Sequence, residues 1–398
     1  MAELLHMKAL VEPGRALTNE EKQRYSRHLL IPDVDLLGQQ RLINAKVLCI
    51  GAGGLGSPTI LYLAAAGVGT IGILDFDQVE ISNLQRQIIH SQTDVGKSKV
   101  QSAAEKAKAL NPSINLNLHQ VRLDESNALE IFANYDLIID GTDNFATRYL
   151  INDAAALLGK PYIWGSIYRF DGQASVFWSE HGPCYRCLHP SPPPPGLVPS
   201  CAEGGVLGSL CGAIGAIQST EAIKLITGIG HSLLGELLIH SALDTTYQKI
   251  KIEKNPNCPI CNGTQTKLLP SYQALCNPGV FAITTEELAV RLLAEPDLVL
   301  VDVREPDEFA AGAISGALLL PVAKFFDGSA LQLLPRDQEI VLYCRSGVRS
   351  ANCLEILRGA GFLQSAHLEG GILAWQGAGQ NLATYESNAV RDEGLNER

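Results

Sequence analysis

Residues 46–99 commit this chain to a strand–turn–helix–strand unit. An apolar run over 47–50 reads as a buried parallel strand, and Gly51-x-Gly53-Gly54-x-Gly56 follows it directly. An apolar helical pattern then covers 58–66, and a second apolar run over 70–74 ends at Asp75. Glycines at the first strand–helix junction let the backbone approach a phosphate, which the unpaired N–H groups and partial positive charge of the helix N-terminus would hold. Asp75, about 20 residues beyond the last glycine, sits where an acidic side chain meets ribose hydroxyls. At this level the pattern specifies a nucleotide site and leaves open what is done there.

The continuation narrows the chemistry. After Asp75 come Asp77, then Ser82-Asn83-Leu84-Gln85-Arg86-Gln87, then Lys99. Hydride transfer has no need of an Arg and a Lys just past the ribose-binding strand. Cleavage of ATP between its α- and β-phosphates does, because negative charge builds on those oxygens in the transition state. An apolar run over 137–141 leads into Thr142-Asp143-Asn144. Ligands of open α/β sheets collect at the carboxyl ends of the strands, so Asp143 faces the same crevice as Gly54. A carboxylate there suits Mg2+ against the phosphates; the competing use of Asp143 is to cap the following helix.

With these pieces together, residues from about 24 to 261 resemble the adenylating enzymes of the MoeB/ThiF family, relatives of the ubiquitin-activating enzymes. The resemblance rests on the glycine turn, the strand end at Asp75-Phe76-Asp77, the 82–87 segment, Lys99 and the 142–144 step. It implies a Rossmann-like, doubly wound α/β sheet that binds ATP through Gly51, Gly53, Gly54, Gly56, Asp75, Ser82, Asn83, Leu84, Gln85, Arg86, Lys99, Asp143 and Asn144. It assigns Arg86 and Lys99 to phosphate charge and Asp143 to Mg2+. Residues 18–30 read as one short helix capped by Thr18. In the family a matching Arg-Tyr-x-Arg segment sends its second Arg, here Arg27, into the neighbouring subunit's ATP site, which implies a homodimer.

Composition bounds the rest. The 398 residues suffice for two or three domains, and 46% hydrophobic with 18% charged residues describes an ordinary soluble protein. A net charge of −11 argues against nucleic acid and acidic membranes as partners. No apolar run reaches the length of a membrane span, and the first 16 residues lack the layout of a signal peptide, so a cytoplasmic location is expected. In that compartment ten cysteines point to metal ligands and reactive thiols rather than disulfides. Cys49, Cys211 and Cys353 fall in apolar strand or helix patterns and read as core; Cys276 falls in the linker and reads as incidental.

Cys184 and Cys187 form one C-x-x-C pair, and Cys258 and Cys261 form another about 70 residues later. Four thiolates close a tetrahedral Zn2+ site with no open position for chemistry; a redox role for either pair is the alternative. Between the pairs, Pro192-Pro193-Pro194-Pro195 starts an extended stretch ending at Cys201. It is expected to form a mobile crossover loop above the nucleotide site. In the family this cysteine is the candidate for a covalent bond to the activated partner. The pattern over 204–228 is a long apolar helix, and 262–280 reads as a linker.

A second domain is expected over 281–380, followed by a polar tail, 381–398. A strand over 297–303 ends in Asp302-Val303-Arg304-Glu305, and a strand over 340–343 runs straight into Cys344-Arg345-Ser346-Gly347-Val348-Arg349-Ser350 and a helix. A cysteine at that junction has its thiolate stabilised by backbone N–H groups, the helix dipole and the two arginines. This half resembles a single-domain rhodanese, through Asp302-Val303-Arg304-Glu305-Pro306-Asp307-Glu308-Phe309, the Cys344 loop, and Leu368-Glu369-Gly370-Gly371 up to Trp375. Ala313 stands where many rhodaneses carry histidine. The loop is one residue short for a cysteine phosphatase.

The resemblance implies a fused adenylyltransferase and sulfurtransferase. The first domain adenylates the C-terminal glycine of a ubiquitin-like sulfur-carrier protein, and sulfur on Cys344 converts the acyl-adenylate to a thiocarboxylate. Arg27, Arg86, Lys99, Asp143, Cys201 and Cys344 are the catalytic set, with ATP, Mg2+ and Zn2+ as cofactors. A cysteine desulfurase or thiosulfate supplies the sulfur. Molybdopterin synthesis is the expected destination, with thiamine, cysteine or tRNA thiolation as alternatives for the same chemistry. An NAD-linked oxidoreductase and a non-catalytic carrier-binding scaffold are the rival classes.

Overall fold

Strand β1 (Lys46–Ile50) is buried along all but its first residue and carries parallel neighbours on both sides, β2 (Thr70–Leu74) and β4 (Leu137–Asp140). The structure is a computed structural model, and it describes residues 8–193, 205–272, 282–362 and 364–383. The chain divides into two compact units, the first running to Tyr272 and the second taking the chain from Gln273.

In the first unit, helices α1 (Asn19–Arg24), α2 (Ser26–Leu29) and α3 (Asp35–Asn44) precede β1. The single helix read over 18–30 is two: Thr18 caps α1 through a capping box with Glu21, and the chain breaks at Tyr25. The Tyr25 ring is buried, with its hydroxyl accepting from Asn111 Nδ2 at 2.9 Å, and that anchorage competes with helix continuation. After β1 come α4 (Gly56–Ala66), β2, α5 (Lys99–Leu110), β3 (Asn115–His119), α6 (Ala128–Ala133), β4 and α7 (Phe145–Leu157). Then follow β5 (Tyr162–Tyr168), β6 (Asp171–Phe177), α8 (Tyr185–Leu188), α9 (Gly208–Thr227), β7 (Glu236–Ser241) and β8 (Thr246–Lys251).

These strands make one eight-stranded sheet in the order β3-β2-β1-β4-β5-β6-β7-β8. The first five are parallel, and β6, β7 and β8 close it antiparallel. β3 ends at His119. Its partner β2 ends opposite at Leu74, so the residues beyond have no ladder to join. Val47, Cys49, Ile71, Ile73, Leu63 and Ile214 lie in one apolar core beneath the carboxyl edge of β1 and β2.

Part of the stretch read as a linker packs on this unit. Tyr272 is buried, donates its hydroxyl to Asp153 Oδ2 at 2.7 Å and gives its N–H to Glu125 at 2.7 Å. Asp153 also takes Arg186 through Nε at 2.7 Å and Nη2 at 2.8 Å, and Gln265 Nε2 at 3.0 Å. A buried carboxylate with this many donors holds 262–272 against α7, so the linker proper starts after Tyr272.

The second unit contains β9 (Ala282–Ile283), α10 (Thr285–Ala294), β10 (Val299–Asp302), α11 (Pro306–Ala311), β11 (Leu318–Leu319), α12 (Val322–Phe326) and α13 (Ala330–Leu333). It ends with β12 (Ile340–Tyr343), α14 (Val348–Gly359), β13 (Ser365–Leu368) and α15 (Gly371–Gly377). Its five-stranded sheet, β11-β10-β12-β13-β9, is parallel throughout. Separate apolar clusters cover its two faces, one around Leu342, Cys353 and Leu354, the other around Val341, Tyr343 and Trp375. Cys353 and Cys211 are both core residues, as read from the sequence.

Candidate functional site

The glycine turn is built as its sequence requires. Gly51 has φ +90°, a conformation L side chains rarely adopt, and a Cβ at position 56 would collide with the Gly51 carbonyl oxygen. A Cβ on Gly54 would lie 2.7 Å from the buried sulfur of Cys211, so α9 presses on the turn from behind. Gly53 lies beside Gln87, whose Oε1 is buried without a hydrogen-bond partner among the described residues.

Between these glycines, Ala52 is gripped at both ends. Its N–H donates to Asp75 Oδ2 at 2.8 Å, and its carbonyl oxygen lies 3.0 Å from His90 Nε2. A carbonyl only accepts, so Nε2 carries the proton, and Nδ1 takes the Ser102 hydroxyl at 2.8 Å. Burial pushes the His90 imidazole below its ordinary range. Asp75 also accepts the Asp77 N–H at 2.9 Å, and each of its oxygens keeps a lone pair for a ribose hydroxyl. Burial raises its pKa, while the charge of Lys99 and the two amides oppose the rise.

The cations surround this turn. Lys99 is buried at the start of α5, with Nζ 2.9 Å from Asp77 Oδ2. Half-buried Arg86 gives Nη1 to the Ser82 carbonyl at 3.2 Å and lays its stem along Gly54. Asn83 is buried and accepts the Glu80 N–H at 3.2 Å; Ser82 and Gln85 are exposed, and Leu84 is half-buried. Asn144, not Asp143, caps α7, accepting from the Thr147 N–H at 2.9 Å. The capping alternative for Asp143 therefore falls away. Asp143 stands exposed just beyond β4, and an exposed carboxylate fits a cation that keeps most of its waters, as Mg2+ does. Arg27 is exposed on α2.

The four cysteines do converge. The Sγ atoms of Cys184, Cys187, Cys258 and Cys261 all lie within 4.8 Å of one another, with Cys184–Cys258 at 3.4 Å and Cys187–Cys261 at 3.6 Å. Tetrahedral Zn2+ at its usual thiolate distance of ~2.3 Å would separate sulfurs by about 3.8 Å, so the donor set fits zinc. Cys201 and Cys276 lie outside the described residues.

In the second unit Cys344 is buried between β12 and α14. Its Sγ accepts the Gly347 N–H at 3.2 Å, with the Ser350 hydroxyl at 3.6 Å. Gly371 has φ +60° and leaves room for the Cys344–Arg345 backbone. The Ile372 N–H holds the Cys344 carbonyl at 2.8 Å and the Leu373 N–H holds the Arg345 carbonyl at 3.1 Å, so the start of α15 pins the loop in place. The expectation that two arginines stabilise the thiolate needs correction. Arg345 is exposed, but Arg349 is paired in a fork to Glu308, with both N···O distances 2.7 Å.

Sequence reading missed His90, the Asp77 partner of Lys99, Asp153 and Glu308. His90 left one signal, a polar residue closing the apolar pair Ile88-Ile89, with nothing to say what it faces.

Residues 25–260 match the ThiF family, and residues 284–378 match the rhodanese-like domain. The chain is 55% identical over 381 residues to the probable adenylyltransferase/sulfurtransferase MoeZ of Mycobacterium tuberculosis, covering 92% of this chain and 95% of that protein. It is 42% identical to the adenylyltransferase and sulfurtransferase MOCS3 of Drosophila yakuba, over 92% of this chain and 86% of that one. The sulfur carrier protein adenylyltransferase of Thermus thermophilus is 49% identical over 65% of this chain and 98% of its own length. Among solved structures, E. coli MccB with MccA-N7isoASN shares the fold, with a TM-score of 0.55 at 22% identity over 61% of this chain and 75% of that one. Among the described residues no helix is long and apolar enough to cross a membrane. The chain belongs to the ThiF family, as an adenylyltransferase of the ThiF/MoeB type with a rhodanese-like sulfurtransferase domain joined behind it.

Proposed function

We propose that the first unit uses ATP to adenylate the C-terminal glycine of a ubiquitin-like sulfur-carrier protein, and that the second delivers sulfur to the activated carbonyl. The observation that carries this reading is the gathering of Arg86, Lys99 and Asp75 around a glycine turn, with Asp143 at the end of the neighbouring strand β4. The carrier carboxylate attacks the α-phosphorus, and the bond to the β-phosphate bridging oxygen breaks to release pyrophosphate. Arg86 and Lys99 meet the charge that grows on the phosphate oxygens, Lys99 exchanging Asp77 for phosphate. Asp143 would hold Mg2+, which supplies further neutralisation of phosphate charge. The four thiolates would hold a structural Zn2+.

Persulfide on Cys344 then attacks the acyl carbon and AMP leaves, joining carrier and Cys344 through an acyl disulfide. A thiol must open that S–S bond, forming a new disulfide with Cys344 and freeing the thiocarboxylate. The family resemblance makes Cys201 the candidate for a covalent bond to the activated carrier. Molybdopterin synthesis as the destination of the sulfur follows from the family resemblance. The test is mass spectrometry of carrier and enzyme after mixing with ATP and a sulfur donor. Cys344→Ala is expected to keep pyrophosphate exchange and lose the thiocarboxylate; sulfur delivered without Cys344 would overturn the reading.

A site shared between two copies is part of the same proposal. Arg27 is exposed and close in sequence to Leu30 and Ile31, which are 70% and 44% exposed, an apolar surface suited to a second copy of the chain.

A further inference from the structure

The sulfur site carries an ion pair that its sequence does not announce. β10 and β12 are parallel neighbours, so α11 and α14, which follow them, both start at the carboxyl edge of the sheet where Cys344 sits. Glu308 on α11 and Arg349 in the first turn of α14 meet there in a two-pronged contact, Oε2 to Nη1 and Oε1 to Nη2, each 2.7 Å. The carboxylate is held in place independently. Glu308 is the third residue of α11, and its Oε2 accepts the Glu305 N–H at 3.2 Å in a capping box. Each side chain is only about a quarter exposed, at 27% and 26%, so the pair is partly shielded from water and salt. Arg349 thereby holds Glu308 below the usual carboxylate range.

The charge at the mouth of the Cys344 loop is set by this contact. The guanidinium of Arg349 is cancelled by Glu308, and both Nη atoms that would fork onto an oxyanion are in use. Arg345 stays exposed, and around Cys344 itself are neutral donors, the Gly347 N–H and the Ser350 hydroxyl. A dianionic donor such as thiosulfate needs paired guanidinium contacts to offset its desolvation; a persulfide, R–S–SH or its monoanion, needs only an approach to the sulfur and the neutral donors.

Resting on the sulfurtransferase reading above, we propose that the Glu308–Arg349 pair is a selectivity lock that makes a thiol persulfide, rather than an oxyanionic sulfane donor, the substrate that loads Cys344. With a persulfide donor, the Cys344 thiolate attacks the terminal sulfur, the donor S–S bond breaks with its electron pair on the donor thiolate, and Cys344 carries the persulfide. With thiosulfate the same attack expels sulfite.

The test measures sulfur loading of Cys344 in the full-length protein from glutathione persulfide and from thiosulfate, with cyanide as acceptor. Glu308→Gln keeps the shape and removes the charge. It is expected to lower KM for thiosulfate by about tenfold, the worth of a released charge-assisted contact, and to leave KM for glutathione persulfide within about twofold. The double change Glu308→Gln with Arg349→Gln is expected to lose that gain. Glu308→Ala, which likewise removes the carboxylate, is the second variant should Glu308→Gln fold poorly, and must move the ratio the same way. An unchanged donor ratio in both single variants, or an equal change with both donors, overturns the lock while leaving the sulfurtransferase reading in place. Failure of the wild-type chain to take sulfur from either donor overturns that reading, and the lock with it.

Discussion

The imidazole of His90 donates through Nε2 to the carbonyl oxygen of Ala52, 3.0 Å away, across the back of the glycine turn. Asp75 takes the N–H of the same residue at 2.8 Å, so two side chains from different parts of the chain fix the peptides of the glycine turn, where the proposed function puts the ATP phosphates. Removing the His90 contact leaves a buried carbonyl unpaired, at a cost of about 1–3 kcal/mol. His90→Ala is therefore expected to raise KM for ATP in pyrophosphate exchange by about tenfold or more, with a smaller fall in kcat. His90→Gln, which can offer an amide N–H to Ala52, should recover part of the loss. Sulfur loading of Cys344 should not change, since His90 belongs to the other unit.

The charge of the nucleotide site and the zinc centre should separate cleanly. Asp143→Ala and Arg86→Ala are expected to lower pyrophosphate exchange by about a hundredfold or more with the fold intact, because on the proposed function each removes a group that meets phosphate charge. Cys258→Ala should instead lower the unfolding temperature of the first unit and abolish zinc binding, since metal binding to such a site is folding energy. Elemental analysis is expected to find one zinc per chain. Protein purified with no metal and four titratable thiols would rule the centre out.

What the sequence made legible was whatever is written locally. The glycine turn, the strand ends at Asp75 and Asp140, the paired C-x-x-C spacing and the Cys344 loop each lie within a few residues, and all appear where local pattern puts them. The four-cysteine cluster was readable across 74 residues only because both halves carry the same spacing. What stayed hidden was pairing across space. Lys99 finds Asp77 22 residues away, Arg349 finds Glu308 41 away, and Tyr272 finds Asp153 119 away. No spacing rule connects such residues, and the last pair alone moves the linker's start by about ten residues. The two arginines beside Cys344 looked equivalent because sequence gives their number and not their partners.

His367 makes the stability of the second unit depend on pH. It is buried on β13, with Nδ1 3.4 Å from the Ser350 hydroxyl that also faces Cys344, and burial pushes its pKa down to about 4. An unfolded histidine titrates near 6.5. Between these values the unfolded chain binds a proton that the folded chain refuses, so stability is fully present above about 6.5 and falls as pH drops toward 4. The full effect is roughly 3 kcal/mol. Amide exchange in β12 and β13, corrected for its intrinsic pH dependence, should quicken over that window, and His367→Gln should flatten the slope. An unchanged slope in the variant would place the titrating group elsewhere.

Arg27 offers the sharpest test of a composite site. It is exposed on α2, while Asp143 is exposed just beyond β4 beside the glycine turn. If Arg27 serves the partner's nucleotide, Arg27→Ala and Asp143→Ala each spoil both sites of their own homodimer. A mixed dimer, however, holds one site with both changes and one with neither. Unfolding is unnecessary; co-expression of the two variants with different tags and isolation of the doubly tagged species gives the mixed dimer. Its pyrophosphate exchange is expected to return to about half that of the wild-type dimer, since one of its two sites is intact. If Arg27 acted within its own chain, each site of the mixed dimer would carry one lesion, and activity would stay at the level of the single variants.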